Sequence, residues 1–146
     1  MKFEKLNLNP KGIKAGDCVI RAIALATDQT WDKVYTDLCE MGLKMKRMPN
    51  DKQIYEKYLE QLGWTKHKQP RAYNYEQGYC SGMSKYTVNE LIYKLDGDKL
   101  IGGGCPHIIV SVANHLTCLE DNHGYQIMDT WDCGYKCVGN YWTLDN

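Results

Sequence analysis

Ile108-Ile109-Val110-Ser111-Val112-Ala113-Asn114-His115-Leu116-Thr117-Cys118-Leu119 is the stretch on which the reading of this chain turns. Ile108 to Val112 is rich in β-branched residues, Leu116 to Leu119 is a second apolar run, and Ala113-Asn114 between them is a short turn spacer. Strands joined by so short a spacer pair antiparallel. Tyr125 to Met128 reads as a third strand, after the turn Asp121-Asn122-His123-Gly124, and Val138 to Trp142 as a fourth.

Upstream the period changes from two to about 3.6. Ile20, Ile23, Ala24 and Thr27 predict a helix that starts at Asp17 or Cys18 and runs to about Ala26, with Gly16-Asp17 as loop and cap. Trp31, Val34, Tyr35, Leu38 and Cys39 form the stripe of a second helix, capped by Thr30 and ending near Gly42. Ile54, Tyr55, Tyr58, Leu59 and Leu62 mark a third, after Pro49-Asn50 and stopped by Gly63. Thr87 and Glu90 form a capping box ahead of Leu91, Ile92 and Leu95. Residues 65–86 are polar and Tyr-rich without clear period and read as a long loop. Helices first and strands later is the order of an α+β fold. A single domain over 1–146 is expected, helical over about 1–95 and strand-rich over about 102–146.

Composition narrows the function. The 146 residues carry 18 basic and 18 acidic side chains. A neutral chain lacks the basic excess that phosphate binding requires, so nucleic acid is not the expected partner. No apolar run nears the ~20 residues that cross a bilayer, and the N-terminal residues have no apolar signal core. The seven cysteines are an odd number and cannot all pair within one chain. Without a signal peptide, reduced thiols and a cytoplasmic setting are expected.

Three residues then stand out. Cys18 opens a helix, where the positive end of the macrodipole stabilises a thiolate and the Cys18 N–H is free to donate to an oxyanion. His115 opens a strand and is a candidate base and acid. Asp129 closes the next strand, so hairpin register brings it to the same end as His115, as an acceptor that orients the ring. His107 is the rival histidine and Asp132 the rival acid, while Asn114 is another candidate to orient a histidine. His67, in Lys66-His67-Lys68, reads as solvated, and His123 as part of a turn.

Gly16-Asp17-Cys18 at a helix start, a strand opening with His115 and Asp129 one strand on resemble the papain-like cysteine peptidase superfamily. The chain is similar to its small bacterial and phage-type members, among them bacteriocin-processing peptidase domains. Asn9-Pro10-Lys11-Gly12, Gly16 to Ala22, Ser111 to Thr117 and Asp129 to Cys133 are also similar to stretches of short proteins from Gram-positive bacteria and their mobile elements. The likeness covers most of the chain through short motifs. It implies a papain-like fold: a helical part with the nucleophile, an antiparallel sheet with His and Asp, and a cleft between them. It implies cleavage of a peptide or other amide through a thioester. Such enzymes carry an oxyanion-hole Gln about six residues before the Cys; Gly12 stands there in this chain, and Asn9 is the substitute donor.

Each residue also has a plainer role. A lone cysteine is more often a buried small hydrophobe than a nucleophile. Cys39 and Cys118 read as core, and Cys80 and Cys105 have no assigned role. Cys133 and Cys137, spaced C-x-x-x-C, lack a convincing second ligand pair, so no metal or other cofactor is expected. Asp17 is a cap or a cleft residue, and its charge counts against a lowered thiol pKa. Arg21 reads as a surface or interlayer ion-pair residue. Trp131 and Trp142 read as core or cleft-wall aromatics. The expected partner is a peptide or protein substrate, and the alternative is a binding module on the same scaffold.

Overall fold

The computed structural model describes residues 2–74, 79–97 and 104–144, and for 72–74 and 79–84 the backbone alone. The fold is α+β. Among the described residues the elements run β1 (Phe3–Lys5), α1 (Cys18–Thr27), α2 (Trp31–Met45), α3 (Lys52–Gln61), β2 (Trp64–His67), β3 (Arg71–Asn74), β4 (Tyr79–Lys85), α4 (Val88–Gly97), β5 (His107–Val112), β6 (His115–Asp121), β7 (Tyr125–Asp129) and β8 (Tyr141–Leu144).

Six strands form one sheet in the order β1-β7-β6-β5-β8-β2, and β3 and β4 form a separate pair. Within the sheet β1 lies parallel to β7, and the other pairings are antiparallel. The sheet is therefore mixed, not wholly antiparallel, and both chain halves build it. The expected division into a helical and a strand-rich half does not hold in space.

Both faces of the sheet are covered. Ile109, Leu116, Cys118 and Trp142 face a core shared with Ile23, Leu38, Ile54 and Leu59 of α1, α2 and α3. Ile108, Val110, Leu119 and Ile127 face a second core with Leu91, Ile92 and Leu95 of α4. This explains the continuous apolar run Ile108 to Val110 in β5, since a strand covered on both sides has no solvent face to alternate with. Each fully buried Leu or Ile contributes roughly 1.5–3 kcal/mol against the entropy of ordering the chain.

The helix boundaries follow the caps. Thr30 Oγ1 accepts from Lys33 N at 3.1 Å and starts α2. Asp51 Oδ1 accepts from Gln53 N at 2.8 Å and starts α3. The capping box of α4 forms in both directions, Glu90 N to Thr87 Oγ1 at 3.2 Å and Thr87 N to Glu90 Oε1 at 3.0 Å. α2 runs past Gly42 to Met45 before Lys46 turns left-handed. Gly42 does not stop the helix; it admits the returning chain, since a Cβ there would lie 2.5 Å from Arg47 O.

Four further expectations are corrected. Residues 65–86 are not one loop: β2 pairs with β8, and β3 pairs with β4. β2 is an edge strand whose Thr65 and Lys66 face solvent, which hides its apolar signal. Leu62 is exposed, and Cys39 is only half-buried, because α2 and α3 meet through Val34, Leu38, Ile54 and Leu59. Val138 lies before β8 and is held by its N–H to Tyr86 O at 2.9 Å.

Candidate active site

Cys18 is the first residue of the ten-residue helix α1. Its backbone N–H belongs to the first turn, where no carbonyl within the helix can receive it. The preceding loop is held by Asn9: its Oδ1 accepts from Lys11 N at 2.9 Å, and its Nδ2 donates to Asp17 Oδ2 at 3.0 Å. Asn9 is 8% exposed. One N–H of the Asn9 amide is held by Asp17, which ties the loop to the start of α1.

Asp17 holds the N-cap position, but its side chain makes no cap hydrogen bond. It accepts from Asn9, from Arg21 Nε at 2.8 Å and from Trp31 Nε1 at 2.8 Å. At 6% exposure it is a buried anchor and not a cleft residue. Burial alone would raise its pKa, and the hydrogen bonds from Asn9, Trp31 and Arg21 outweigh this and hold it below the usual carboxylate range. The Arg21 guanidinium thus offsets the negative charge beside Cys18 that the sequence counted against the thiolate.

His115 follows the turn at Ala113-Asn114, where Asn114 adopts a φ of 56° and Val112 pairs with His115. Asp129 ends β7. The β6–β7 register pairs Cys118 with Met128, which carries His115 and Asp129 to the same end of the hairpin. His115 Nε2 and Asp129 Oδ2 lie 2.6 Å apart, with side-chain exposures of 8% and 3%. Thr130 N and Arg21 Nη1 hold the other oxygen of Asp129 at 2.7 and 3.0 Å.

Cys18 meets the same ring. Burial pushes the thiol up, but hydrogen bonds from the His115 ring and the Leu116 backbone, with the charges of His115 and Arg21, bring it below its ordinary value. Burial pushes His115 down, but its hydrogen bonds to Asp129 and Cys18 and their charges raise it to about 9. Burial likewise opposes Asp129, whose bond to His115 lowers it. The two titrations are coupled and belong to the pair. Trp131 covers the ring, with centroids 4.8 Å apart and planes at 48°. It packs on the imidazole and is not among the residues that line the open cleft.

That cleft, of about 740 Å³, is lined by Cys18, Val19, Tyr55, Asn114, His115 and Val138 among others. Of the proposed cleft residues, Asn114 lies in its wall.

The rivals go elsewhere. His107 sits at the far end of β5 and contacts Glu120 at 3.1 Å. Asp132 Oδ1 accepts from Gly134 N at 2.9 Å within its own turn. His67 is not simply solvated: it stacks on Tyr141 at 4.5 Å and contacts Thr143 Oγ1 at 2.7 Å. Cys133 is buried and Cys137 exposed. Cys133 lies beside the triad, where the candidate ligand atoms of His115, Asp129 and Cys133 fall within 4.8 Å of one another. Burial, with the charge of Asp129, pushes this thiol up to about 12. Cys80 has no described side chain. Arg21 is the site residue whose part the sequence understated; its spacing from Asp17, one helical turn, was the available signal.

Comparison of the chain with protein-family models, with curated proteins and with solved structures finds no match.

Proposed function

We propose that the protein is a papain-like cysteine peptidase or a related thiol acyl-transfer hydrolase, acting on a peptide or other amide bond through Cys18, His115 and Asp129. The observation that carries this reading is the placement of one imidazole between two partners. His115 Nε2 contacts Asp129 at 2.6 Å, and Cys18 hydrogen-bonds the same ring. With Nε2 engaged, Nδ1 is the nitrogen left for the sulfur.

In this reaction the Cys18 thiolate attacks the carbonyl carbon, and the carbonyl oxygen becomes an oxyanion facing the Cys18 N–H. The C–N bond then breaks as His115 gives its proton to the leaving amine, which leaves a thioester on Cys18. His115, now neutral, takes a proton from water. The resulting hydroxyl attacks the thioester, and the acid leaves as the thiolate and imidazolium return. Asp129 holds the ring in one tautomer throughout and stabilises its positive form.

The test is alkylation of Cys18 by iodoacetamide, followed by mass spectrometry as a function of pH. Labelling well below pH 8, faster than for a free cysteine and lost in His115→Ala, is the expected result. A Cys18 that titrates like free cysteine in the folded protein overturns it.

One observation favours a second reading, a binding module on the same scaffold: Gly12 stands where papain-like enzymes carry the oxyanion-hole Gln. That reading requires a stable partner whose capture is unchanged by Cys18→Ala.

A further inference from the structure

The cleft beside Cys18 is lopsided in charge. Among the described residues that line it are Lys52, in the first turn of α3, and Lys85, at the end of β4, and no carboxylate. Beside the Cys18–His115 pair, the rest of its polar lining is uncharged, with Asn50, Gln69, Ser111 and Asn114 among it. The chain as a whole carries equal numbers of acidic and basic side chains, so this imbalance is local.

The nearest acids are already engaged. Lys52 Nζ lies 3.3 Å from Asn140 Oδ1 and 3.7 Å from Glu56 Oε1. Glu56 is closer to Lys66, at 3.0 Å. Asp51, which caps α3, pairs with Arg47 at 3.1 Å. α1 and α3 both begin at the cleft, so the positive ends of two helix dipoles add to the lysines. A wall of this kind attracts anions and disfavours cations near the thiol.

We propose that the cleft selects substrates bearing a carboxylate near the amide that Cys18 attacks, with Lys52 and Lys85 as specificity-determining residues. This rests on the reading of Cys18 as a nucleophile. Lysines act here as mobile point charges rather than as a planar fork. The selection is therefore a preference of a few-fold for each lysine that weakens with salt.

The test uses two reagents of one size and different charge. Iodoacetate and iodoacetamide are applied to the intact protein, and each rate at Cys18 is read by mass spectrometry of its peptide. The ratio of the two rates cancels any change in the thiol itself. Lys52→Gln and Lys85→Gln are each expected to lower the ratio roughly threefold, the order of effect that one charge exerts across a partly hydrated cleft. Raising the salt to 1 M is expected to shrink both effects. A ratio unchanged in both variants, with Cys18 still fast towards iodoacetamide, overturns the carboxylate preference and leaves the nucleophile standing. A Cys18 slow towards both reagents overturns the nucleophile and the preference with it.

The source of the carboxylate is separated by protection of Cys18 from iodoacetamide. Three peptides are compared: an end-blocked peptide containing Asp and Glu, a neutral peptide with a free C-terminus, and an end-blocked peptide containing Lys. Protection by the first alone assigns an acidic side chain, and by the second alone a terminal carboxylate. Equal protection by all three, or by none, overturns the proposal.

Discussion

Arg21 reaches across from α1 to β7 and holds Asp129 Oδ1 at 3.0 Å, while its Nε holds Asp17 at 2.8 Å. The carboxylate that meets His115 is therefore tied to the residue that precedes Cys18. One guanidinium couples the helix carrying Cys18 to the strand carrying Asp129, and so sets the two halves of the site against each other.

Replacing Arg21 by Met leaves two buried carboxylates without their cation. Loss of one partner of a buried pair costs roughly 3–5 kcal/mol. Urea unfolding should show a loss of that size, and a loss under about 1 kcal/mol would remove the bridging role. Arg21→Lys keeps the charge but not the two-armed geometry and should fall between.

Asp129→Asn keeps the shape of the side chain and removes the charge facing His115. Peptide hydrolysis should fall by up to about 10⁴-fold, the size of loss when the acid of such a triad is neutralised. The His115 ring signal, followed by NMR, should titrate below the parent value of about 9. A ring that still titrates near 9 would place the source of its basicity elsewhere.

The pH dependence of stability follows from the directions of two shifts. His115 is raised from 6.5 to about 9, so its contribution is complete below 6.5 and is lost as pH rises through about 9. Cys18 is lowered from 9.0, so its contribution is complete above 9.0 and is lost as pH falls through the lowered value. Where the windows overlap, the folded pair and the unfolded pair each hold one proton, and the slopes cancel. Cys18→Ala removes one side of this balance. Its unfolding free energy should then fall as pH rises from 6.5 towards the remaining His115 pKa, where the parent protein shows no net slope from this pair. A flat profile in Cys18→Ala would mean that Asp129 alone does not raise the imidazole.

Gly42→Ala tests the packing that positions α3. The added Cβ would meet Arg47 O at 2.5 Å, and Arg47 N donates to Gly42 O at 2.9 Å, so the backbone cannot shift without losing that bond. Overpacking of this kind costs roughly 1–3 kcal/mol. A stabilised variant, as helix propensity alone would give, would show that the turn at 46–49 yields.

Much of the local structure was legible in the chain. Thr30 and the pair Thr87–Glu90 sit at the helix starts because their side chains satisfy N–H groups that no carbonyl in the helix can reach. The antiparallel path of β5, β6 and β7 followed from spacers too short for a crossover, and with it the approach of His115 to Asp129. β1 was missed because a three-residue edge strand, Phe3-Glu4-Lys5, buries too little to leave a pattern. β2 was missed because its outward residues are polar at the sheet edge.

The sequence by itself determined the α+β class, the caps at Thr30 and Thr87–Glu90, the hairpin and the placing of Cys18 at a helix start, because each depends on contacts a few residues apart or on a turn of known length. Tertiary structure alone decided that α1 packs on the sheet face that brings Cys18 to the His115 ring. It also decided that Asn9 serves Asp17, that Arg21 joins Asp17 to Asp129, and that Cys133 lies buried against the triad. Those contacts join segments distant in the chain, and their geometry is set by how two cores fill, which no local period records.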